Sequence, residues 1–267
     1  MLITRALAAL VFAPPLLYLV WRGGLPLEVT CLVLAGVVLW EYVELTLGPG
    51  EAYLKIVTYA LGAAVALVAL SWVPAPMAAV LLPVGVLFLF TAMLMRPDPL
   101  PQSMARAGLV AVGALYGGGL IPYLARLRDL PATGLGLAVM ALFCTWGADT
   151  GAYFAGRLFG RHKLYPKISP GKTVEGVFGG LAAGIGVAFL VRWLFGTELG
   201  HGHLVAIGSI AALLGLAGDL SESMLKRSVG AKDSSKLIPG HGGVLDRFDG
   251  VIFAAPAIYV YVTLVLA

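Results

Sequence analysis

The chain has 267 residues, of which 60% are hydrophobic and 12% are charged, and its mean hydropathy is +0.93. A soluble domain usually carries about 25% charged residues, so this composition excludes an ordinary soluble enzyme or binding module. The formal net charge of +4 comes from residues in short connections between apolar runs. Such charges indicate anionic headgroups or a phosphorylated substrate as partners, and not nucleic acid. We therefore predict an all-α, polytopic integral membrane protein in contact with membrane lipids.

Nine stretches are apolar and long enough to cross a bilayer as helices, which takes roughly 20 residues each. In chain order they are residues 6–22, 27–46, 54–73, 77–95, 105–125, 133–157, 174–196, 203–224 and 250–266. The first lacks the cleavage pattern of a signal peptide, so we predict a retained helix. We treat residues 1–267 as a single membrane domain, with helices one to five in 1–130 and catalytic helices six to nine in 131–267.

Two connections concentrate the basic residues and set the expected orientation. Loop 158–173 carries Arg161, Lys163, Lys167 and Lys172, and loop 225–249 carries Lys226, Arg227, Lys232, Lys236 and Arg247. Lys and Arg in short loops favour the cytoplasm. Six predicted spans precede the first loop and eight the second, so both loops emerge on the side of the N-terminus. We predict a protein of the cell (inner) membrane with these loops, the active site and the N-terminus in the cytoplasm, and the C-terminus outside.

The first loop and its flanks carry candidate phosphate ligands. Ser169 or Thr173 can cap a helix that starts between Pro170 and Glu175, and a helix N-terminus attracts phosphate. Lys172 would lie in the first turn of that helix. The spacing is neither that of a P-loop nor that of a dinucleotide-binding fingerprint.

The second loop and the helix before it combine acids, cations and glycines. Asp219, Glu222, Ser223 and Lys226 recur at three- and four-residue steps, which place them on one helical face. An acid within an apolar run is costly unless it is paired or binds a cation, so Asp149, Glu175, Asp219 and Glu222 indicate function.

Beyond that helix, the run through Gly240, Gly242 and Gly243 cannot stay helical, and its N–H groups can turn toward an anion. Asp246, Arg247 and Asp249 follow. Lys and Arg side chains contact phosphate, and aspartates hold Mg²⁺ together with substrate phosphates. Together these residues predict a site for a nucleoside triphosphate and a metal ion.

The stretch from Ser223 to Asp249 resembles, position by position, the signature of the phosphatidate cytidylyltransferases, or CDP-diacylglycerol synthases. The matching positions are Ser223, Leu225, Lys226, Arg227, Lys232, Asp233, Ser235, Ile238, Pro239, His241, Gly242, Gly243, Val244, Asp246, Arg247, Phe248 and Asp249. Upstream, "DTGAYFAGRLFGRHKL" and "ISPGKTVEG" are similar to two further motifs of that family, so the resemblance covers residues 144–250. This chain has Gly171 where the family often has a second lysine.

The resemblance implies that CTP and phosphatidate react to give CDP-diacylglycerol and pyrophosphate, with Mg²⁺ required and a second cation as an open alternative. It also suggests a homodimer. As catalytic residues we predict Asp219, Asp246, Lys226 and Arg247. Substrate binding is assigned to Ser169, Lys172, Thr173, Glu175, Ser223, Arg227, Lys232, Asp233, His241, Gly242 and Gly243, and metal binding to Asp219, Asp246, Asp149 and Asp249. We expect the two loops and the ends of helices six to eight to meet at one polar cavity open to water and lipid.

Simpler interpretations stay open at this stage. Asp219 and Asp246 could form salt bridges with Lys226 or Arg247, and Asp149 and Asp249 could merely orient a neighbouring cation. His241 could be an ordinary loop histidine. An ion-coupled transporter would also bury acids near broken helices, but here the charge clusters at one face and no symmetry between halves is visible. Transferases that use CDP-lipids typically show a D-G-x-x-A-R signature, which this sequence lacks.

Overall fold

The computed structural model describes residues 13–96, 99–238, 240 and 242–266. Residues 13–22 are helical and are called α1. The other helices are α2 (Gly24–Thr46), α3 (Ala52–Ala69), α4 (Ala75–Met95), α5 (Ser103–Gly113), α6 (Tyr123–Arg128), α7 (Gly134–Phe159), α8 (Val174–Phe195), α9 (His201–Ser228) and α10 (Leu245–Val265). Two short strands, β1 (Lys163–Tyr165) and β2 (Ser169–Thr173), lie between α7 and α8.

Within the described ranges, eight helical segments are long and apolar enough to cross a membrane. They correspond in order to the second to ninth predicted spans, so the expectation of an all-α polytopic membrane protein is confirmed. The first predicted span begins at residue 6, and its residues 6–12 lie outside the described part of the chain.

The fifth predicted span is not one uniform α-helix. A 3₁₀ turn (Leu100–Gln102) leads into α5, a π-helix (Ala114–Gly119) follows, and α6 begins after Pro122. The π-helical glycines lie directly against a neighbouring helix, since a Cβ on Gly118 would collide with the carbonyl group of Gly62. Close backbone contact and the missing N–H of Pro122 explain why regular α-helical hydrogen bonding is interrupted here.

The predicted helix with a Thr173 cap is present, but Lys172 lies in a strand before that helix and not in its first turn, which corrects this part of the first-loop prediction. β1 and β2 pair in antiparallel register, with Lys163 opposite Thr173 and Tyr165 opposite Ser169. Pro170 restricts the residue before it to extended conformations, and Gly171 weakens a helix, so the segment favours a strand. α8 therefore begins at Val174, where the Thr173 hydroxyl accepts a 3.1 Å hydrogen bond from the N–H of Gly176. Thr173, and not Ser169, is the cap.

Contacts divide the described chain into two compact units. One is Glu28–Pro122, and the other combines the described residues up to Leu27 with those from Tyr123 onward. The second unit, called the site unit below, contains α7 to α10 and both basic loops. The single membrane domain with a division at residue 130 stays a prediction.

In the site unit, α7 and α8 pack backbone to backbone. A Cβ on Gly180 of α8 would lie 2.9 Å from the carbonyl oxygen of Ala148 and 3.2 Å from the Cβ of Ala152 on α7. Only glycine permits this approach, as is common between membrane helices. The packing holds the C-terminal half of α7, with Asp149, beside the start of α8.

The orientation is testable by cysteine labelling, because the predicted topology places the connection before α9 outside and the loop after α9 in the cytoplasm. Leu199 and Ser234 are both only 6% exposed, so Glu198→Cys and Lys232→Cys, at exposed positions, are better probes. We expect a membrane-impermeant maleimide to label residue 198 only from outside and residue 232 only from inside. Labelling of both from the same side would exclude the predicted topology. Cys31 and Cys144 are buried and give a low background.

Candidate active site

Lys172 joins three segments of the site unit. Its Nζ lies 2.5 Å from Oδ2 of Asp219 on α9 and 3.7 Å from Oδ1 of Asp149 on α7. The Ser223 hydroxyl, one turn further along α9, donates a 3.3 Å hydrogen bond to Oδ1 of Asp219. The first basic loop, the end of the sixth predicted span and the helix before the second loop thus meet, as the sequence pattern predicts.

The surroundings of Lys172 keep it charged. Burial alone would lower the pKa of the Lys172 ammonium, but the carboxylates of Asp219, Asp149 and Asp249 more than offset this and raise the pKa above its ordinary value. The stabilisation from this charge is present at neutral pH and is lost only as the pH rises through the raised pKa. Lys172 is therefore a cation at neutral pH, beside acids that favour its charge.

Three acids in this region are close enough to share one metal ion. One carboxylate oxygen from each of Asp219, Glu222 and Asp249 lies within 4.8 Å of the others. Among the described residues, Oε1 of Glu222 is buried and has no hydrogen-bond partner. A buried carboxylate oxygen without a donor is costly, and a bound cation would satisfy it. The oxygen-only donor set fits Mg²⁺.

Lys226 forms a second, more deeply buried charge cluster on the same face of α9. Its Nζ lies 2.5 Å from Oε2 of Glu222 and 2.6 Å from Oδ1 of Asp246. The three side chains are 11%, 1% and 7% exposed, respectively. The salt bridge between Asp246 and Lys226, which the sequence left open as an alternative to metal binding, is thus present.

Asp246 also anchors the second basic loop. Its Oδ2 accepts hydrogen bonds from the N–H of Ser234 at 2.9 Å, from the Ser234 hydroxyl at 2.8 Å and from the N–H of Gly243 at 2.7 Å. Gly242 has φ +79°, and a Cβ there would collide with the same carboxylate, so this position requires glycine on both counts. Pro239 and His241 lie outside the described residues, so the predicted role of His241 is untested.

A cavity of about 500 Å³ opens beside Lys172 between α7, α8, α9 and the strand hairpin. Its polar lining is Asp149, Tyr153, Arg157, Lys163, Ser169, Lys172 and Thr173. Its apolar lining includes Ala148, Ala152, Val177, Ala212 and Leu216. The Arg157 guanidinium donates a 2.9 Å hydrogen bond to the Tyr153 hydroxyl. The cavity can therefore receive a molecule with a phosphate at one end and an apolar part at the other.

Some predicted site residues lie away from these clusters. Glu175 accepts hydrogen bonds from His162 at the base of the hairpin, with a 2.6 Å contact between Oε1 and Nδ1, and Arg227 donates to the carbonyl oxygen of Ala231 at 3.0 Å. The side chains of Lys232, Asp233 and Arg247 are exposed. Metal coordination by Asp246 and Asp149 stays a prediction. The substrate contacts of Glu175, Arg227, Lys232 and Asp233 and the catalytic role of Arg247 also stay predictions.

Four residues of the site were not assigned a role from the sequence: Glu222, Tyr153, Arg157 and Lys163. Glu222 belongs to the α9 stripe, and its three-residue spacing from Asp219 was the available indication that the two could share a cation. Arg157 stands in the same motif as Asp149, but nothing local in the sequence distinguishes it from an ordinary interfacial arginine. Its position in the cavity follows only from the packing of α7 against the hairpin.

The described fold and site define an integral membrane protein in which Lys172 both lines an amphipathic cavity and pairs with an acid of the neighbouring charge cluster. The chain belongs to the cytidylyltransferase family, whose model matches residues 3–265. The name of this family denotes nucleotidyltransferases. The recognition made from the motifs between Asp149 and Asp249 is confirmed.

Relatives named phosphatidate cytidylyltransferase support this membership over different lengths. The Brucella suis protein is 33% identical over 258 residues, which cover 97% of this chain and 92% of that protein. Those of Bacillus subtilis and Haemophilus influenzae are 39% and 46% identical, and the alignments cover 57% and 51% of this chain. The chain spans about half the length of these last two relatives, 56% and 52%.

Proposed function

We propose that this protein transfers a cytidylyl group from CTP to phosphatidate, giving CDP-diacylglycerol and pyrophosphate. The observation that carries the proposal is the cluster of Lys172, Asp219, Glu222 and Asp249 beside an amphipathic cavity in a membrane-embedded helical unit. Relatives named phosphatidate cytidylyltransferase supply the substrates. CTP is water-soluble and phosphatidate is not, so the site must be open to both phases.

The acids fit a divalent cation. Asp219, Glu222 and Asp249 would hold Mg²⁺, which prefers oxygen ligands and completes its shell with water and substrate phosphates. Bound there, Mg²⁺ would neutralise charge on the triphosphate. Asp246 would contribute indirectly, because it fixes the glycine-rich turn and Lys226 next to these ligands.

The reaction needs positioning and charge neutralisation more than acid–base chemistry. The phosphate of phosphatidate is already an anion near neutral pH, and one of its oxygens forms a bond to the α-phosphorus of CTP. The bond between the α-phosphorus and the oxygen that bridges it to the β-phosphorus breaks, and pyrophosphate leaves with the electron pair of that bond. Lys172 is placed to bind phosphate oxygens, and the N–H groups of the second loop can face the leaving group.

Several finer features rest on the same proposal. The amphipathic cavity would admit the lipid with its phosphate near Arg157 and Lys172 and its glycerol part against the apolar lining. The loop charges favour a site facing the cytoplasm of the inner membrane. The homodimer implied by the family resemblance stays a prediction.

A pyrophosphate-release assay on detergent-purified protein tests the function. We expect release from CTP only when phosphatidate and Mg²⁺ are both present, with CDP-diacylglycerol formed in equal amount. Diacylglycerol, which lacks the attacking phosphate, is the matched control. Pyrophosphate release without any lipid would indicate CTP hydrolysis and would contradict the proposal. No release with phosphatidate would also contradict it and would favour the transporter alternative.

A further inference from the structure

We propose that the Glu28–Pro122 unit carries a second phosphate site, which binds the headgroup phosphate of an anionic membrane lipid at Arg96 and Arg106. The site lies wholly within that unit and uses none of the residues assigned to catalysis.

The site is a cavity of about 210 Å³ at one end of the unit. It lies where α3 begins, where α4 ends and where α5 begins. Its polar lining is Glu51, Tyr53, Arg96, Ser103 and Arg106. A water molecule occupies about 30 Å³ of liquid, so the space suits a phosphate group with a few waters.

The charges around the cavity favour an anion. Arg106 forms an ion pair with Glu51, and both side chains are largely but not fully buried, at 22% and 27% exposure. The Arg96 guanidinium lies over the ring of Tyr53, 5.2 Å from its centroid, and both residues line the cavity. Two guanidinium groups against one carboxylate leave the described lining with a net positive charge. Guanidinium groups bind phosphate oxygens in a bidentate manner.

The surroundings of the cavity favour a lipid over free phosphate. Four large apolar side chains flank it along the chain and are strongly exposed: Leu94 (77%), Met95 (72%), Leu100 (70%) and Met104 (66%). They belong to the ends of two membrane-crossing segments, Ala75–Met95 and Leu100–Arg128. Side chains exposed there face hydrocarbon, so acyl chains would lie against them while the phosphate enters the cavity.

Native mass spectrometry of the purified protein in a neutral detergent can measure this binding with dioctanoyl phosphatidylglycerol. Dioctanoyl phosphatidylcholine, with the same chains but no net charge, and inorganic phosphate form the two comparison arms. The parent protein and all variants carry Lys172→Ala, so that less of the probe binds at the candidate active site. We expect Arg96→Gln to weaken phosphatidylglycerol binding about 10-fold, the loss typical of one charge-assisted hydrogen-bonding group. Glu51→Gln should tighten it, because it removes the carboxylate that competes for Arg106.

The matched control is Lys55→Gln, which removes a cation from the same end of the same unit. Lys55 pairs with Glu44 at 2.6 Å and does not line the cavity. Binding within about 2-fold of the parent is expected, because Lys55 is already paired with Glu44 and does not line the cavity. Equal losses for Arg96→Gln and Lys55→Gln would overturn the site in favour of general surface attraction. If phosphatidylcholine bound as tightly as phosphatidylglycerol, the assignment to an anionic lipid would be overturned. If inorganic phosphate bound as tightly as phosphatidylglycerol, the assignment to a lipid would be overturned.

A photoreactive phosphatidylglycerol gives a second readout that does not depend on variant stability. We expect cross-linked peptides from residues 50–54 or 93–106, reduced in Arg96→Gln and retained in Lys55→Gln. Cross-links confined to the site unit would overturn the proposal.

Discussion

Asp219→Asn protein is expected to fold normally and to transfer cytidylyl groups about 100- to 1,000-fold more slowly than the parent, as when one preorganised electrostatic contact is removed. The substitution removes a charge but almost no volume. It takes away a proposed Mg²⁺ ligand and the partner that lies 2.5 Å from Lys172. The measurement is initial rate against Mg²⁺ and CTP concentration, with thermal stability recorded for the same preparation. The apparent affinity for Mg²⁺ should fall together with kcat.

Lys172→Ala serves as the comparison for this variant. It removes a phosphate contact but no metal ligand, so it should mainly raise the KM for CTP. A stable Asp219→Asn protein with near-normal turnover would remove Asp219 from the metal site. The Lys172 salt bridge would then be the whole of its role.

Lys226→Met is expected to lower the free energy of unfolding by about 3–5 kcal/mol, the usual cost of removing one member of a buried ion pair. The substitution leaves the Glu222 and Asp246 carboxylates without their shared cation, at 1% and 7% exposure. The Asp246 anchor of the second loop should loosen as well, so activity should fall even below the unfolding temperature. Thermal unfolding in detergent and cytidylyl transfer at a temperature where the variant is folded measure the two effects separately.

Lys55→Met is the matched control for Lys226→Met. The pair of Lys55 with Glu44 is short, at 2.6 Å, and its side chains are 16% and 46% exposed, so water reaches the carboxylate of this pair but not those of Glu222 and Asp246. An exposed pair contributes about 0–1 kcal/mol, so this change should be nearly neutral. Similar destabilisation by both substitutions would show that burial of the Lys226 cluster is not what matters. Adding Asp246→Asn to Lys226→Met should recover part of the lost stability, because one uncompensated charge disappears.

The features of the site that repeat with helical spacing could be predicted from the sequence. Asp219, Ser223 and Lys226 lie on one face of α9 because three- and four-residue steps fix the direction of side chains on a helix. The long apolar runs fixed the number and order of the spans from α2 to α10 within a few residues. Length and hydropathy suffice for this, because the hydrocarbon core requires a continuous apolar helix.

The features that depend on distant partners could not be predicted in this way. Asp246 is joined to Lys226 and Ser234 across the loop, and no local pattern distinguishes such an anchor from a metal ligand. Lys172 lies in β2 and not in the first turn of the predicted helix, because Pro170 and the pairing of Ser169 with Tyr165 keep this segment extended. Glu222 became a candidate ligand only when α10 brought Asp249 to within 4.8 Å of it.

The position of α10 in the chain has a consequence for biosynthesis. Asp246, which fastens the second loop, and Asp249, which joins the acidic group, both belong to the first turns of this helix. The ribosome makes them after every other described residue of the site, and membrane helices enter the bilayer in the order of synthesis. Nascent chains that stop before Leu245 therefore carry Lys226 without Asp246, and Asp219 and Glu222 without Asp249. The site is completed only when the segment that follows residue 244 has been inserted, so catalytic competence comes late in the insertion of this protein.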